Sequence, residues 1–355
     1  MGPVRLPDPD SLAARIRRGE RAAVASGLNL LDNKREEARL CAARLLAALA
    51  EAHGLGAGHL VGITGPPGAG KSSLLAAMIR EWRQSGRTVG VLAVDPSSRP
   101  ELGGGALLGD RIRIKNTAPS GGGGYDEGLF IRSLANRSQL GGVASEVWPM
   151  SWLMLACFDI VVVETVGVGQ TEIDIAEIGD TVCYVAQPAS GDTIQYLKSG
   201  IIEIPDIFVV NKADLGAPAH KTAGELTRAG SRQDRRAGWD FPVCLVSANE
   251  HRGIQPLLAH LERHRRFLID GGLFDELRAR HQRGWVVRLL KEEFGTFGLG
   301  LLGGAVGVDE SLQARPSNQF AGYVRLRNHI LSKFLSENHP SSLTTKEHVN
   351  EQAVV

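Results

Sequence analysis

An eight-residue run, GPPGAGKS at residues 65–72, constrains the fold of this chain more than any other part of the sequence. It matches the pattern G-x-x-x-x-G-K-[ST], in which glycines let backbone N–H groups turn inward around phosphate groups. That geometry needs a buried strand before the run and a helix after it. The apolar stretch HLVGIT at 59–64 predicts the strand, and residues 72–85 predict the helix.

Six short apolar runs predict the strands of one sheet. They are apolar at nearly every position, which is typical of parallel strands buried on both faces. Helical stretches separate them, as crossovers between parallel strands require. The runs occupy residues 59–64, 88–94, 159–165, 181–187, 206–211 and 242–247. The predicted fold class is α/β: a doubly wound, mostly parallel sheet of the P-loop NTPase type with N- and C-terminal helical extensions.

Changes in composition and in the pattern of apolar residues predict four regions along the chain. Residues 1–55 form an N-terminal helical segment and residues 56–268 the P-loop domain. Residues 269–337 form a C-terminal helical arm, and the polar tail 338–355 is expected to be disordered. The ligand site of the P-loop domain is expected at the carboxyl ends of its strands.

The glycine-rich run predicts the phosphate site in detail. Lys71 supplies a positive charge for the β and γ phosphate oxygens, and Ser72 offers its hydroxyl to Mg²⁺. The helix that begins here also points its positive end at the phosphates. The predicted phosphate-binding residues are Gly65, Pro66, Pro67, Gly68, Ala69, Gly70, Lys71, Ser72 and Ser73.

A second motif, Asn211-Lys212-Ala213-Asp214, follows the predicted strand DIFVVN. Asp214 can accept from the ring N–H and the exocyclic amine of guanine, whereas adenine offers neither donor there, so GTP and GDP are the expected ligands. Asn211 is expected to support the purine edge, and the Lys212 stem to cover a face of the base. Ser247, Ala248 and Asn249 follow the last strand and are predicted to aim backbone donors at the guanine carbonyl oxygen.

Carboxylates at strand ends predict the magnesium side of the site. Glu164 ends the strand DIVVVE, and Gly167 follows it with a backbone N–H for the γ-phosphate. Asp95 and Asp110 are further candidates for the magnesium shell or for orienting the attacking water. With Lys71, these three carboxylates are the predicted catalytic residues, although Glu164 as a helix cap and Asp95 as a turn residue remain alternatives.

One expected catalytic group is missing from its usual place. Small Ras-type GTPases have a water-orienting glutamine soon after the switch glycine. Here Val168 follows Gly167 directly, and the nearest glutamine is Gln170. The sequence therefore predicts slow intrinsic hydrolysis that accelerates when a partner orders the switch segments.

Composition argues against several classes of protein. The formal net charge is +1, so there is no electrostatic reason to expect nucleic acid as a partner. No apolar run reaches the roughly 18 residues of a membrane helix. The N-terminal residues lack the pattern of a secretory signal, and the four cysteines form no CxxC pair, so a cytoplasmic protein with free thiols is expected. His260 and His264 share a helix-face spacing, which predicts a solvated face rather than a metal site.

Several longer stretches together resemble the MeaB/ArgK family of P-loop GTPases. They are GPPGAGKSS, VDPSS, GGALLGDRIRI, ETVGVGQTEIDIA and GDTIQYLKSGIIEIPDIFVVNKAD. The resemblance implies a homodimeric chaperone that uses GTP to gate cofactor loading and protect an adenosylcobalamin-dependent acyl-CoA mutase, chiefly methylmalonyl-CoA mutase. It also implies that Asp95, Asp110 and Glu164 lie on the magnesium side, that residues 192–198 form an additional switch, and that the C-terminal helices form the dimer arm.

Three other functions remain open from the residues. A nickel-insertion GTPase would call for clustered Cys and His ligands, which the N-terminus and the switch segments lack. An ATP-driven kinase linked to amino-acid transport would leave the guanine contacts of Asp214 unused. A scaffold that binds nucleotide without turnover is also compatible with the motifs.

Overall fold

The structure is a computed structural model, and it describes residues 6–53, 58–96, 126–136, 146–165, 171–188, 204–230, 238–313 and 319–337. The chain divides into two compact units, Met1–Trp285 and Val286–Val355. The first contains the sheet and its flanking helices, and the described part of the second consists of helices, with a turn at residues 301–303.

The first unit is built on a seven-stranded parallel sheet with the strand order β3-β2-β4-β1-β5-β6-β7. Every residue of β1, β4, β5 and β6 is buried, which is why these strands are continuous apolar runs. The predicted fold class is therefore confirmed. The strands are β1 His59–Thr64, β2 Val89–Pro96, β3 Leu129–Asn136, β4 Ile160–Thr165, β5 Thr181–Ala186, β6 Ile207–Val210 and β7 Val243–Leu245.

Helices precede, cover and follow the sheet. The helices are α1 Pro9–Arg17, α2 Arg21–Asp32, α3 Glu36–His53, α4 Lys71–Gln84, α5 Val147–Leu155, α6 Thr171–Ala176, α7 Ala217–Gly230, α8 Ile254–Asp270, α9 Phe274–Gly300, α10 Gly304–Gln313 and α11 Gln319–Glu337. The hydrophobic core between α4, α8 and one face of the sheet includes Leu74, Met78, Val162 and Leu257, all fully buried.

The register of the sheet sets the geometry of the site. Strand β1 lies between β4 and β5, with Ile63 opposite Glu164 and Thr64 opposite Tyr184. Glu164 therefore lies beside the end of β1, where the chain turns into the glycine-rich loop. Because all seven strands are parallel, their carboxyl ends meet at one edge, as the fold class predicted.

Strand β3 is absent from the sequence-based prediction. Among the described strands it pairs with β2 at the edge of the sheet, and its residues Arg132 and Ser133 are half-buried. A search for continuous apolar runs finds strands covered on both faces, so it misses an edge strand with polar positions. The guanidinium of Arg21 on α2 donates to the Leu129 carbonyl at 2.7 Å, so an N-terminal helix contacts this edge.

A buried polar network joins the amino ends of β1 and β5 to α8. The ring Nε2 of His59 lies 2.7 Å from the Thr181 hydroxyl, which lies 2.8 Å from Nδ1 of His264. The other ring nitrogen of His264 lies 3.5 Å from Asp206. With neutral imidazoles, His264 carries its proton towards Asp206 and accepts from Thr181, which in turn accepts from His59.

The position of His264 corrects one sequence-based prediction. His264 is only 3% exposed, so the prediction of a solvated helix face is wrong for this histidine. His260 is half-buried. His264 falls on the buried stripe of α8 together with Leu257, Leu261 and Leu268. A polar residue at a core position of a helix needs a buried partner, which Thr181 supplies here.

A buried ion pair lies next to this network. Arg278 of α9 donates to both carboxylate oxygens of Asp180, at 2.8 and 2.6 Å, and to the Gly58 carbonyl at 2.7 Å. Both side chains of the pair are at most 2% exposed. The Asp180 carboxylate also accepts from the Leu60 backbone N–H, so the start of α9 is fixed to the amino end of β1.

The buried histidines His59 and His281 are expected to make the folded protein less stable in mild acid. Burial lowers the pKa of His59 to about 3 and that of His281 to about 4, against an ordinary value of 6.5. The nearby Asp180 opposes the shift at both sites, and arginines including Arg278 add to it. The unfolded chain therefore binds more protons than the folded chain between pH 6.5 and about 4, and folding weakens as pH falls through this window.

The free energy of unfolding is expected to fall by about 1.4 kcal/mol per histidine for each pH unit below the pKa of histidine in the unfolded chain. Urea denaturation at pH 7.5 and at pH 5.5 measures it, and His59→Gln should reduce the difference between the two free energies of unfolding. The exposed His220 on α7 provides the control, since His220→Gln should leave that difference unchanged. Equal stability of the native chain at the two pH values contradicts the prediction.

The second unit has its own apolar core and a buried polar contact. Leu290, Val308, Leu312 and Ile330 are fully buried in it. Helix α9 changes direction at Gly295, where φ is 66° and ψ is −168°. The Glu293 carboxylate accepts from the Tyr323 hydroxyl at 2.7 Å and from Arg327 at 2.9 Å, joining α9 to α11.

Candidate functional site

The glycine-rich loop connects β1 to α4 at the carboxyl edge of the sheet. Gly65, Gly68 and Gly70 have φ values of 141°, 79° and 84°, which side chains rarely tolerate. A Cβ on Gly65 would lie 2.2 Å from the Val185 carbonyl oxygen, so glycine is also required by close packing against β5. Gly70 is the N-cap of α4, whose first N–H groups face the loop.

Lys71 and Ser72 lie on the first turn of α4. The Lys71 ammonium donates to the carbonyl oxygens of Gly65 and Pro66, at 2.8 and 3.0 Å, and the residue is 6% exposed. The Ser72 hydroxyl donates to Glu164 Oε1 at 2.9 Å. The loop therefore holds a lysine at its centre, with a hydroxyl and a carboxylate in contact beside it.

Asn211 links the glycine-rich loop to the loop that follows β7. Its amide nitrogen donates to the carbonyl oxygens of Ala69 and Gly70, at 3.0 and 3.2 Å. Its amide oxygen accepts from the Ala248 backbone N–H at 3.2 Å. Asn211 is 2% exposed, so one buried amide joins the predicted phosphate and base elements.

Asp214 is exposed and lies in the middle of a single 3₁₀ turn, Ala213–Leu215. Its carboxylate accepts from the Ser247 hydroxyl at 2.6 Å. This bond is the largest cause that lowers the pKa of Asp214, and the charges of Arg252 and Lys212 add to it. The carboxylate is therefore ionised at neutral pH and ready to accept from a ligand.

Two of the backbone N–H groups after β7 donate within the protein. The N–H of Ser247 donates to the Arg252 carbonyl, and that of Ala248 to Asn211. Asn249 is exposed and lies within the turn that leads back to Arg252.

Not every predicted residue can be placed. Asp95 lies near the end of β2 with its backbone opposite Ala135 of β3. Asp110, Gly167, Gln170 and residues 192–198 lie outside the described residues. The structure therefore brings Lys71, Ser72 and Glu164 together, and Asn211, Asp214 and Ser247 together, and the roles predicted for all of these residues stay predictions.

The Ser247 hydroxyl and the Asn211 amide are contacts that the sequence-based reasoning did not foresee. Both are made between loops far apart in the sequence, so spacing alone gives no signal for them. The described residues contain no group of three or more His, Cys, Asp or Glu side chains arranged to hold a metal ion. Among the described helices, none has both the length and the apolar content needed to cross a bilayer.

Known proteins resemble this chain over most of its length. A family model described as methylmalonyl Co-A mutase-associated GTPase MeaB matches residues 24–296. A Pyrococcus abyssi protein provisionally assigned as a GTPase is 41% identical over 303 residues, covering 84% of this chain and 86% of that protein. GTPase ArgK of Escherichia coli is 32% identical over 289 residues, covering 79% of this chain and 82% of its own length.

Two further comparisons extend the range. The mitochondrial methylmalonic aciduria type A homolog of Mus musculus is 32% identical over 298 residues, covering 80% of this chain and 69% of that protein. A solved structure described as LAO/AO transport system kinase has a TM-score of 0.65 at 24% identity, covering 93% of this chain and 100% of that chain. At this level of identity, the structural likeness shows the fold alone.

Proposed function

The chain belongs to the MeaB family of methylmalonyl-CoA mutase-associated GTPases, and from this premise we propose that it hydrolyses GTP to GDP and phosphate in the service of an adenosylcobalamin-dependent acyl-CoA mutase. The proposal that this chain binds a nucleotide rests on the Asn211 amide. This amide connects the glycine-rich loop to the loop after β7, which is called the base loop below. We place the protein in the cytoplasm, with the mutase as its main partner.

The base site favours guanine over adenine. Guanine presents a ring N–H and an amine on the edge that faces an aspartate, and Asp214 can accept both. Adenine has no hydrogen on the corresponding ring nitrogen, so the carboxylate would lose its hydration without gaining partners. The same lack of partners for adenine disfavours an ATP-driven kinase for amino-acid transport.

The oxygen donors beside Lys71 fit Mg²⁺. Ser72 and Glu164 offer a hydroxyl and a carboxylate already in contact, and hard oxygen ligands are those that Mg²⁺ binds. When bound, Mg²⁺ neutralises charge on the β and γ phosphate oxygens. Asp95 and Asp110 are proposed as further carboxylates on the magnesium side of the site.

Lys71 provides the charge at the phosphates. Its ammonium now donates to two loop carbonyls, and phosphate oxygens are stronger acceptors that can replace them. The proposed role of Lys71 is to stabilise the charge that builds on the oxygens during transfer of the γ-phosphoryl group to water. Because no Ras-type glutamine follows Gly167, we expect slow hydrolysis by the isolated chain.

The partner role is tested by measuring GTP hydrolysis by the purified chain with and without methylmalonyl-CoA mutase from the same organism. A stimulation of at least about tenfold is expected, because a partner that orders switch segments can supply far more in related systems. Co-elution of the mutase is measured in parallel with GDP and with a non-hydrolysable GTP analogue. No stimulation and no co-elution in either state would refute the partner role and leave the GTPase assignment intact.

The second unit is proposed to make the homodimer that the family resemblance implies. Phe297 and Val306 are 63% and 68% exposed there, although both are apolar. A second copy is the occupant that the resemblance suggests for such exposed side chains. Light scattering of the native chain should give the mass of a dimer, and Phe297→Asp should shift it towards the monomer without loss of GDP binding. A monomeric native chain at micromolar concentration contradicts this proposal.

A further inference from the structure

Arg252 lies beside the base site, although no motif in the sequence points to it. Ser247 and Arg252 form an isolated antiparallel bridge, in which each backbone N–H donates to the carbonyl of the other residue, at 3.0 and 3.1 Å. Residues directly opposite each other in an antiparallel pair project their side chains from the same face. The Ser247 side chain points to Asp214 on that face, so the Arg252 side chain leaves the backbone on the Asp214 side.

The turn between the two bridge residues keeps Arg252 in place. The Arg252 guanidinium pairs with the Glu250 carboxylate at 3.2 Å, and the Glu250 backbone N–H donates to the Ser247 hydroxyl at 3.2 Å. His251 between them has a φ of 52°, which allows the chain to reverse within a few residues. The ring of His251 contacts Arg80 of α4 at 2.9 Å.

The charge of Arg252 reaches the base-reading carboxylate. Arg252 and Lys212 are the two cations that lower the pKa of Asp214. The Arg252 side chain is 61% exposed, so its guanidinium can settle on a ligand without first losing a buried position. A planar guanidinium stacks well on an aromatic ring, whereas an exposed ion pair with Glu250 contributes little by itself.

We propose that Arg252 forms the outer wall of the guanine site, where its guanidinium covers a face of the base whose edge is bound by Asp214. This inference rests on the proposed function, because it assumes that a guanine nucleotide occupies the site. Glu250 acts as a positioning residue that keeps the guanidinium close to the site before a nucleotide binds. Lys212 covers the base from its own loop, so the ring lies between two cationic side chains.

Calorimetric titration of the full chain with GDP and Mg²⁺ at fixed salt tests the proposal. Arg252→Ala should weaken GDP binding about 2- to 30-fold, the range of a cation–π contact. Arg252→Lys should fall between this variant and the native chain. Arg80→Ala is the matched control, because Arg80 contacts the same turn through the His251 ring, and it should change the affinity less than about twofold.

Two further measurements separate a base contact from a merely structural role. Glu250→Ala should weaken GDP less than Arg252→Ala does, and it should add nothing when Arg252 is already alanine, since the two act through one contact. Binding of Mg²⁺-pyrophosphate, which has no base, should be the same in Arg252→Ala as in the native chain. Equal loss for GDP and pyrophosphate would assign a structural role and overturn the proposal.

The outcome also distinguishes this proposal from the function on which it rests. If the native chain binds GDP well and Arg252→Ala binds it equally or more tightly, Arg252 is no part of the base site while the GTPase assignment stands. If the native chain fails to bind guanine nucleotides at all, both are overturned.

Discussion

Asp214→Asn is expected to exchange the preference for guanine nucleotides for a preference for xanthine nucleotides. Guanine donates two hydrogen bonds to the carboxylate, and asparagine can accept only one while placing its own N–H₂ against the guanine amine. Losing one bond to a charged acceptor, while the other is made to an uncharged one, should weaken GTP by about 10²–10³-fold. Xanthine carries a carbonyl where guanine carries the amine, so it can accept from the asparagine. Competition of GTP, XTP and ATP against a fluorescent GDP analogue measures the change.

Ser247→Ala provides the comparison for this variant. It removes the hydroxyl that donates to Asp214 at 2.6 Å but leaves the carboxylate itself. A loss of about tenfold in GTP affinity is expected, the value of one hydrogen bond to a charged group, with guanine still preferred. If Asp214→Asn binds GTP as the native chain does, the base is not read by Asp214 and the guanine assignment fails.

Lys71→Met is expected to lower the rate of GTP hydrolysis by about 10²–10³-fold, the usual loss when a preorganised charge is removed from a transition state. Methionine has a similar length but no charge, so the shape of the loop changes little. The oxygens of the transferring phosphoryl group then build up charge without a cation from the protein to balance it. Single-turnover measurements with saturating enzyme isolate this step from nucleotide binding.

The control for Lys71→Met is Lys221→Met, which removes an exposed lysine from α7. It should hydrolyse GTP at the native rate. Thermal unfolding of the nucleotide-free proteins guards against a trivial loss of structure, because Lys71 donates to two loop carbonyls in the folded chain. A Lys71→Met protein that folds and hydrolyses GTP at the native rate would remove Lys71 from the reaction.

The strands and the phosphate loop could be predicted because each is encoded locally. Strands such as β1 and β4 are buried at every position, which leaves a continuous apolar run in the sequence. The loop is likewise marked by glycines whose positive φ values no other residue adopts readily. Edge strand β3 lacks such a run, because its half-buried positions accept polar residues.

The polar contacts could not be predicted because their partners are far apart in the sequence. His59, Thr181 and His264 meet only when β1, β5 and α8 are assembled. The contact between Ser247 and Asp214 likewise needs the order of β6 and β7 in the sheet. Spacing along the chain carries information about one helix or strand, whereas these contacts depend on the topology of the whole sheet.

Asn211 makes hydrogen bonds to both halves of the site, and this has a consequence for ligands that fill only one half. Since a single buried amide braces both the phosphate loop and the base loop, ordering either half lowers the entropic cost of ordering the other. Guanosine and pyrophosphate, added together as separate fragments, should therefore each bind more tightly than either does alone. Asn211→Ala removes the hydrogen bonds that connect the two loops, so the two fragments should then bind independently of each other.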